Sequence, residues 1–116
     1  MTQLLRRPHP PTAVVAANIA SAVGALHAAH ELGYRVPDDV SVICIHDLVL
    51  AAHLVPPLTT VRMPLQELGA RAVDLLLSRP SEDDVREVLK GPIELVVRKS
   101  TAGPPASGAS GRASRS

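Results

Sequence analysis

Two short apolar runs flank a helix-length segment that closes on a glycine, and no other feature limits the possible folds as much. The runs are Ala13-Val14-Val15-Ala16-Ala17 and Val40-Ser41-Val42-Ile43-Cys44-Ile45. A short run without polar alternation reads as a strand buried on both faces, the condition of a strand in a parallel sheet. Parallel strands cannot be joined by a tight turn, so a crossover, usually a helix, must carry the chain back. The intervening segment supplies one. Asn18 suits its N-cap, because the side-chain oxygen can accept from an orphan backbone N–H. Ile19, Val23, Leu26 and His30 recur on one face at helical spacing, with Ala22, Ala25 and Ala29 beside them. Gly33 stands where a C-terminal cap would, and Pro37 lies just beyond. The three pieces make a βαβ unit whose crossover is right-handed by the general rule.

The same logic extends along the chain. Residues 48–55 are apolar with one histidine, long enough for two helical turns, and stop at Pro56-Pro57. Leu58-Thr59-Thr60-Val61 is a third short strand. Pro64 suits the first turn of another helix, on which Leu65, Leu68, Ala72, Leu75 and Leu76 line one face. Residues 79–84, RPSEDD, read as a solvated loop. Two strand candidates follow, Glu87-Val88-Leu89 and Ile93 to Val97, where Ile93, Leu95 and Val97 alternate with Glu94 and Val96. The expected organisation is a lead segment over 1–11, weakened for regular structure by Pro8, Pro10 and Pro11, a domain over 12–101, and a disordered Gly/Pro/Ser-rich tail over 102–116.

Composition narrows the function. The chain has 116 residues, no Phe, no Trp and one Tyr, so small aliphatic side chains must fill its core. Nothing offers a stacking platform for bases. The formal charge of +1 is nearly balanced and no face concentrates Lys and Arg, so the footprint of a nucleic-acid binder is missing. A single cysteine, Cys44, excludes an internal disulfide and a multi-cysteine zinc site, and fits a reducing cytoplasm. It reads as a small core residue within its strand. No segment has the length or apolarity of a signal peptide core or a membrane span. His27 and His30 are three apart on the first helix, but no carboxylate or cysteine is spaced to complete a metal site. A glycine-rich phosphate loop, a nucleophile elbow and a carboxylate pair are all lacking. The sequence therefore predicts neither an enzyme nor a cofactor or metal, and Arg62 and Arg71, although able to meet anions, read as surface charges.

Five stretches carry a resemblance: PTAVVAAN at 11–18, GAL at 24–26, ELGYRVPDDVSVI at 31–43, PPLTTVRMPLQELGARAVDLLL at 56–77, and ELVVRKST at 94–101. In this order and spacing the chain resembles the LacI/GalR family of bacterial transcription regulators, in the second half of their effector-binding domain. The resemblance implies an α/β fold: a partial doubly wound parallel sheet, the C-terminal subdomain of a periplasmic-binding-protein-like domain, with a helix crossing back towards the first subdomain. It implies a cytoplasmic, dimeric sensor of a small polar effector such as a sugar. The helix-turn-helix head and most of the first subdomain have no counterpart here, so the chain alone is not expected to bind DNA or a membrane.

Ligands in open α/β sheets sit beyond the carboxyl ends of the strands. That rule and the resemblance point to Asn18, His46, Asp47, Met63 and Leu65. An amide both donates and accepts, which suits sugar hydroxyls. Asn18 also serves as a helix cap, and the two roles are compatible. The family's usual Gly, aromatic, acid, acid stands here as Cys44, Ile45, His46 and Asp47, so an imidazole replaces the first acid and alters the bonding pattern. Asp47 is a partial substitute, though strand alternation points it elsewhere. Asn-Ile-Ala-Ser-Ala at 18–22 departs from the family's Asn-Asp-x-Met-Ala. Met63 and Leu65 serve equally as apolar linker and core positions. Val23 and Leu54 match a family dimer surface. The competing readings are a purely dimerising or inactive product of a shortened reading frame and, with less support, a small α/β enzyme.

Overall fold

The computed structural model describes residues 1–78, 88 and 90–104. Four strands and four helices alternate along it. They are α1 (Thr2–Leu5), β1 (Ala13–Ala16), α2 (Ile19–Glu31), β2 (Ser41–Ile45), α3 (Val49–His53), β3 (Thr59–Arg62), α4 (Leu65–Ser78) and β4 (Glu94–Val96). The strands form one sheet in the order β1-β2-β3-β4, parallel as far as β3 and antiparallel between β3 and β4. The expected βαβ unit is present as β1-α2-β2. The sheet is mostly parallel, as expected from the sequence.

Helix α2 begins and ends as the sequence predicts. The Asn18 side chain accepts from the Ser21 backbone N–H at 2.9 Å, and Gly33 takes the left-handed conformation, φ 68°, just past the end. Its inward face differs from the expectation. Ala22, Ala25 and Ala29 are buried, Ile19 and Leu26 are only half-buried, and Val23 and His30 face outward. Small side chains let a helix axis approach a sheet closely, and β2 offers Val42 and Cys44 in return, both wholly buried. Leu58 and Ala51 complete that core cluster, to which Leu54 adds a half-buried side chain.

The lead is more structured than its prolines suggest. Met1 to Leu5 form one helical turn before Pro8, and Leu5 is buried against Ala29 and Val40. The Tyr34 hydroxyl donates to the Leu5 carbonyl at 3.0 Å, fixing the lead to the far end of α2. The last strand is shorter than Ile93 to Val97, and its inward side chain is Val96. Val96 pairs with Thr60, whose strand neighbours the core, so Ile93, Leu95 and Val97 are left exposed. Val88 lies outside regular structure. The rest of the Glu87–Leu89 candidate, the whole of the 79–84 loop and positions 105–116 fall outside the described residues.

After β4 the chain threads back between β2 and β3. Their ladder starts only at Ile43 opposite Thr59. Below that point Val42 donates instead to the Ser100 carbonyl (2.8 Å), and Lys99 donates to the Pro57 carbonyl (2.9 Å). The buried Ser100 hydroxyl accepts from the Thr59 N–H at 2.8 Å and donates to the Val42 carbonyl. One serine thus takes the place of a missing backbone pair in the sheet. This seam holds β2 and β3 in register up to the end where the candidate site lies.

Candidate functional site

Because β1, β2 and β3 are parallel, their carboxyl ends share one edge of the sheet. Asn18 and the His46-Asp47 pair lie just past the ends of β1 and β2, and Arg62 closes β3 with Met63 next to it. The predicted polar positions are therefore brought to one edge. Asn18 is exposed, with its oxygen committed to the α2 cap. Its amide N–H donors play no part in that cap.

His46 is half-buried and has φ 81°, the left-handed region that β-carbon-bearing residues seldom occupy. Its backbone N–H donates to the Val61 carbonyl at 3.0 Å, extending the β2–β3 ladder one step. Its imidazole bonds no other side chain among the described residues. A left-handed residue at this point bends the chain, so that His46 and Asp47 do not continue the alternation of β2.

Asp47 is the electrostatic centre of the edge, with a side chain 8% exposed. Oδ1 accepts from the Thr60 hydroxyl (2.7 Å) and Arg98 Nη2 (2.8 Å). Oδ2 accepts from Arg62 Nε (3.0 Å) and Nη2 (2.6 Å). Burial alone would push this carboxyl up. Against it, the bonds from Thr60, Arg62 and Arg98, with the Arg98 charge, together bring its pKa down to about 2. Asp47 is therefore an anion at neutral pH, with its lone pairs largely spent within the protein.

The two arginines differ in setting. Arg98 is 17% exposed and also donates from Nη1 to the Leu58 carbonyl (2.8 Å) and to Thr60 Oγ1 (2.9 Å). Arg62 is 51% exposed and donates from Nη1 to Glu94 at 2.8 Å. Sequence reasoning treated Arg62 as a surface charge and gave Arg98, Thr60 and Glu94 no individual role. The strand alternation of Thr60 and Arg62 was the available signal, since it puts both on the side that meets the end of β2.

Met63 and Leu65 leave this edge for an apolar groove of about 350 Å³, lined also by Pro64, Leu68, Gly91 and Ile93. A β-carbon at Gly91 would collide with the Pro64 ring, so the close approach there suits glycine. The structure thus separates a polar edge from an adjoining apolar groove. Of the anticipated dimer positions, Val23 is exposed on α2 and Leu54 is half-buried beyond α3. Among the described residues no cluster of His, Cys, Asp and Glu has the arrangement of a metal site, and no helix is long and apolar enough to cross a membrane.

A mostly parallel sheet with an amide, an imidazole and an arginine-held carboxylate at its carboxyl edge defines an open α/β domain of the doubly wound kind. The chain belongs to the periplasmic binding protein-like domain family, whose model matches residues 1–101, and its place there is among regulators of the LacI/GalR type. It is 39% identical over 97 residues to the lactose operon repressor of Rhizobium radiobacter, covering 84% of this chain and 86% of that one. It is 44% identical over 101 residues to the HTH-type transcriptional repressor PurR of Mannheimia succiniciproducens, covering 86% of this chain and 30% of that protein's length. Among solved structures, a LacI family transcriptional regulator from Mycobacterium smegmatis superposes with a TM-score of 0.72 at 46% identity, covering 85% of this chain and 36% of that one. The lac repressor dimer bound to operator and the anti-inducer ONPF superposes with the same TM-score, 0.72, at 36% identity, covering 88% and 36%.

Proposed function

We propose that this chain binds a small polar effector, a sugar or a related metabolite, at the carboxyl edge of its parallel strands, and that it serves transcription regulation as a homodimeric, non-enzymatic sensor in the cytoplasm. The observation that carries the reading is the gathering of Asn18 and His46 at one edge, each with donor capacity left over, beside a rigidly held Asp47. Such groups read hydroxyls without performing chemistry on them. Asp47 contributes here by fixing its neighbours, while Met63 and Leu65 line the apolar flank against which a sugar ring's carbon face packs. Dimerisation engages Val23 and Leu54; the dimeric state of the lac repressor in the related structure supports the dimer, and the two residues are our assignment.

The test separates the two duties of Asn18. Asn18→Asp keeps an oxygen to cap α2 but removes the amide donors, whereas Asn18→Ala loses both. In titration calorimetry against a sugar panel, Asn18→Asp should weaken binding about tenfold or more, the equivalent of one lost buried hydrogen bond, while keeping the parent's thermal midpoint. Asn18→Ala should lose binding and about 1 kcal/mol of stability as well. Parent-like affinity in Asn18→Asp would remove Asn18 from the site.

A further inference from the structure

The positive charge at this edge exceeds what the buried carboxylate can absorb. Arg62 and Arg98 both bond Asp47, so two guanidinium charges share one carboxylate, and among the described residues only Glu94 meets the surplus. The two contacts of Arg62 are unequal. Nε and Nη2 grip an oxygen of a carboxylate that is 8% exposed, which fixes the plane of the guanidinium. Nη1 reaches a Glu94 carboxylate that is 60% exposed. Exposed pairs of the second kind contribute little, because water and salt screen them and a long side chain must be held still.

A guanidinium carries five N–H donors, and the described contacts of Arg62 engage three. One donor on each terminal nitrogen is left. With Nε and Nη2 turned to Asp47, the remaining Nη2 donor faces the end of the fork, where it and Nη1, once released by Glu94, can receive two oxygens of a carboxylate or phosphate at once. The His46 backbone N–H is bonded to the Val61 carbonyl immediately before Arg62, so the two residues are near neighbours across β2 and β3.

We infer that Arg62, aimed by Asp47 and masked by Glu94, is a specificity-determining residue that selects an effector bearing an anionic group, a sugar acid or a sugar phosphate, over its neutral counterpart. The inference rests on the effector-site reading above and deepens it. Binding exchanges the flexible Glu94 carboxylate for the ligand's anion on Nη1 and brings the free Nη2 donor into use. The bonds to Asp47 remain unbroken throughout.

Matched ligand pairs test this on the full chain. Titration calorimetry with glucose against glucuronate, and with ribose against ribose 5-phosphate, should show the charged member of at least one pair binding about tenfold tighter or more. Whichever pair shows the preference identifies the anion as carboxylate or phosphate. Glu94→Gln removes the competing anion from an exposed position, so it should tighten the charged member several-fold and leave the neutral one unchanged. Arg62→Lys keeps the charge but loses the fork and should reduce the preference. Neutral sugars bound as tightly as their charged partners, or charged partners indifferent to Glu94→Gln, would overturn the anion inference while leaving the effector site standing. No binding by any of the four probes would overturn the effector-site reading itself, and this inference with it.

Discussion

Asp47 draws together residues from three separated stretches: Thr60 and Arg62 on β3, Arg98 after β4, and its own turn beyond β2. Its ordinary carboxylate pKa of 3.8 is lowered to about 2 in the folded chain, so the folded state favours the ionised form. A depressed folded pKa contributes stability that is present above the unfolded pKa and is lost as pH falls through the folded one. The contribution should therefore fade between about pH 4 and about pH 2, seen as a falling thermal midpoint in that window. Asp47→Asn should abolish this step and cost about 2 kcal/mol at neutral pH, the worth of charge-assisted bonds lost while Arg98 stays largely buried. An unchanged acid limb in the variant would mean that another carboxyl governs it. Asn18 and His46 were legible in the sequence because strand ends follow from local pattern. The partners of Asp47 were not, since Arg98 lies far along the chain and only the register of β3 against β4 brings it near.

Among the elements, α2 and α4 show where hydrophobic periodicity succeeds and where it stops. Periodicity gave both helices their place, but for α2 it favoured the bulky stripe over the alanines that meet the sheet. Side-chain size was the deciding physics, because close approach of helix to sheet rewards small residues. On α4 no residue of the expected stripe is buried: Leu75 is half-buried, and Leu65, Leu68, Ala72 and Leu76 are exposed. Leu68 is 51% and Leu76 75% exposed. Fully burying one leucine is worth roughly 1.5–3 kcal/mol, a strong drive to find cover. The isolated chain should self-associate at micromolar concentration in sedimentation velocity and bind an apolar dye, and Leu68→Glu with Leu76→Glu should suppress both. A dye-silent monomer in the parent chain would mean that the stripe has found cover within the molecule.

At the scale of the whole molecule, the parallel strands order the site and the returning segment holds the order in place. Ser100 bridges the Thr59 N–H and the Val42 carbonyl across the line where β2 and β3 have yet to pair. The chain is made from its N-terminus, so the first three strands leave the ribosome before that bridge can close. Until residues 98–102 emerge, the lower halves of β2 and β3 carry open backbone groups, and Arg98 is absent from Asp47. A contact spanning 58 positions is also a costly loop to close, which slows the final step rather than the first. The nascent sheet therefore waits, half-stitched, on its latest arrivals. A chain ending at Val97 should show reduced helical and sheet signal in far-ultraviolet circular dichroism and should lose cooperative melting, whereas one ending at Pro104 should melt like the full chain. The carboxyl edge of the sheet, although nearly all of its residues come from the first two-thirds of the chain, is finished only by the strap that is synthesised after them.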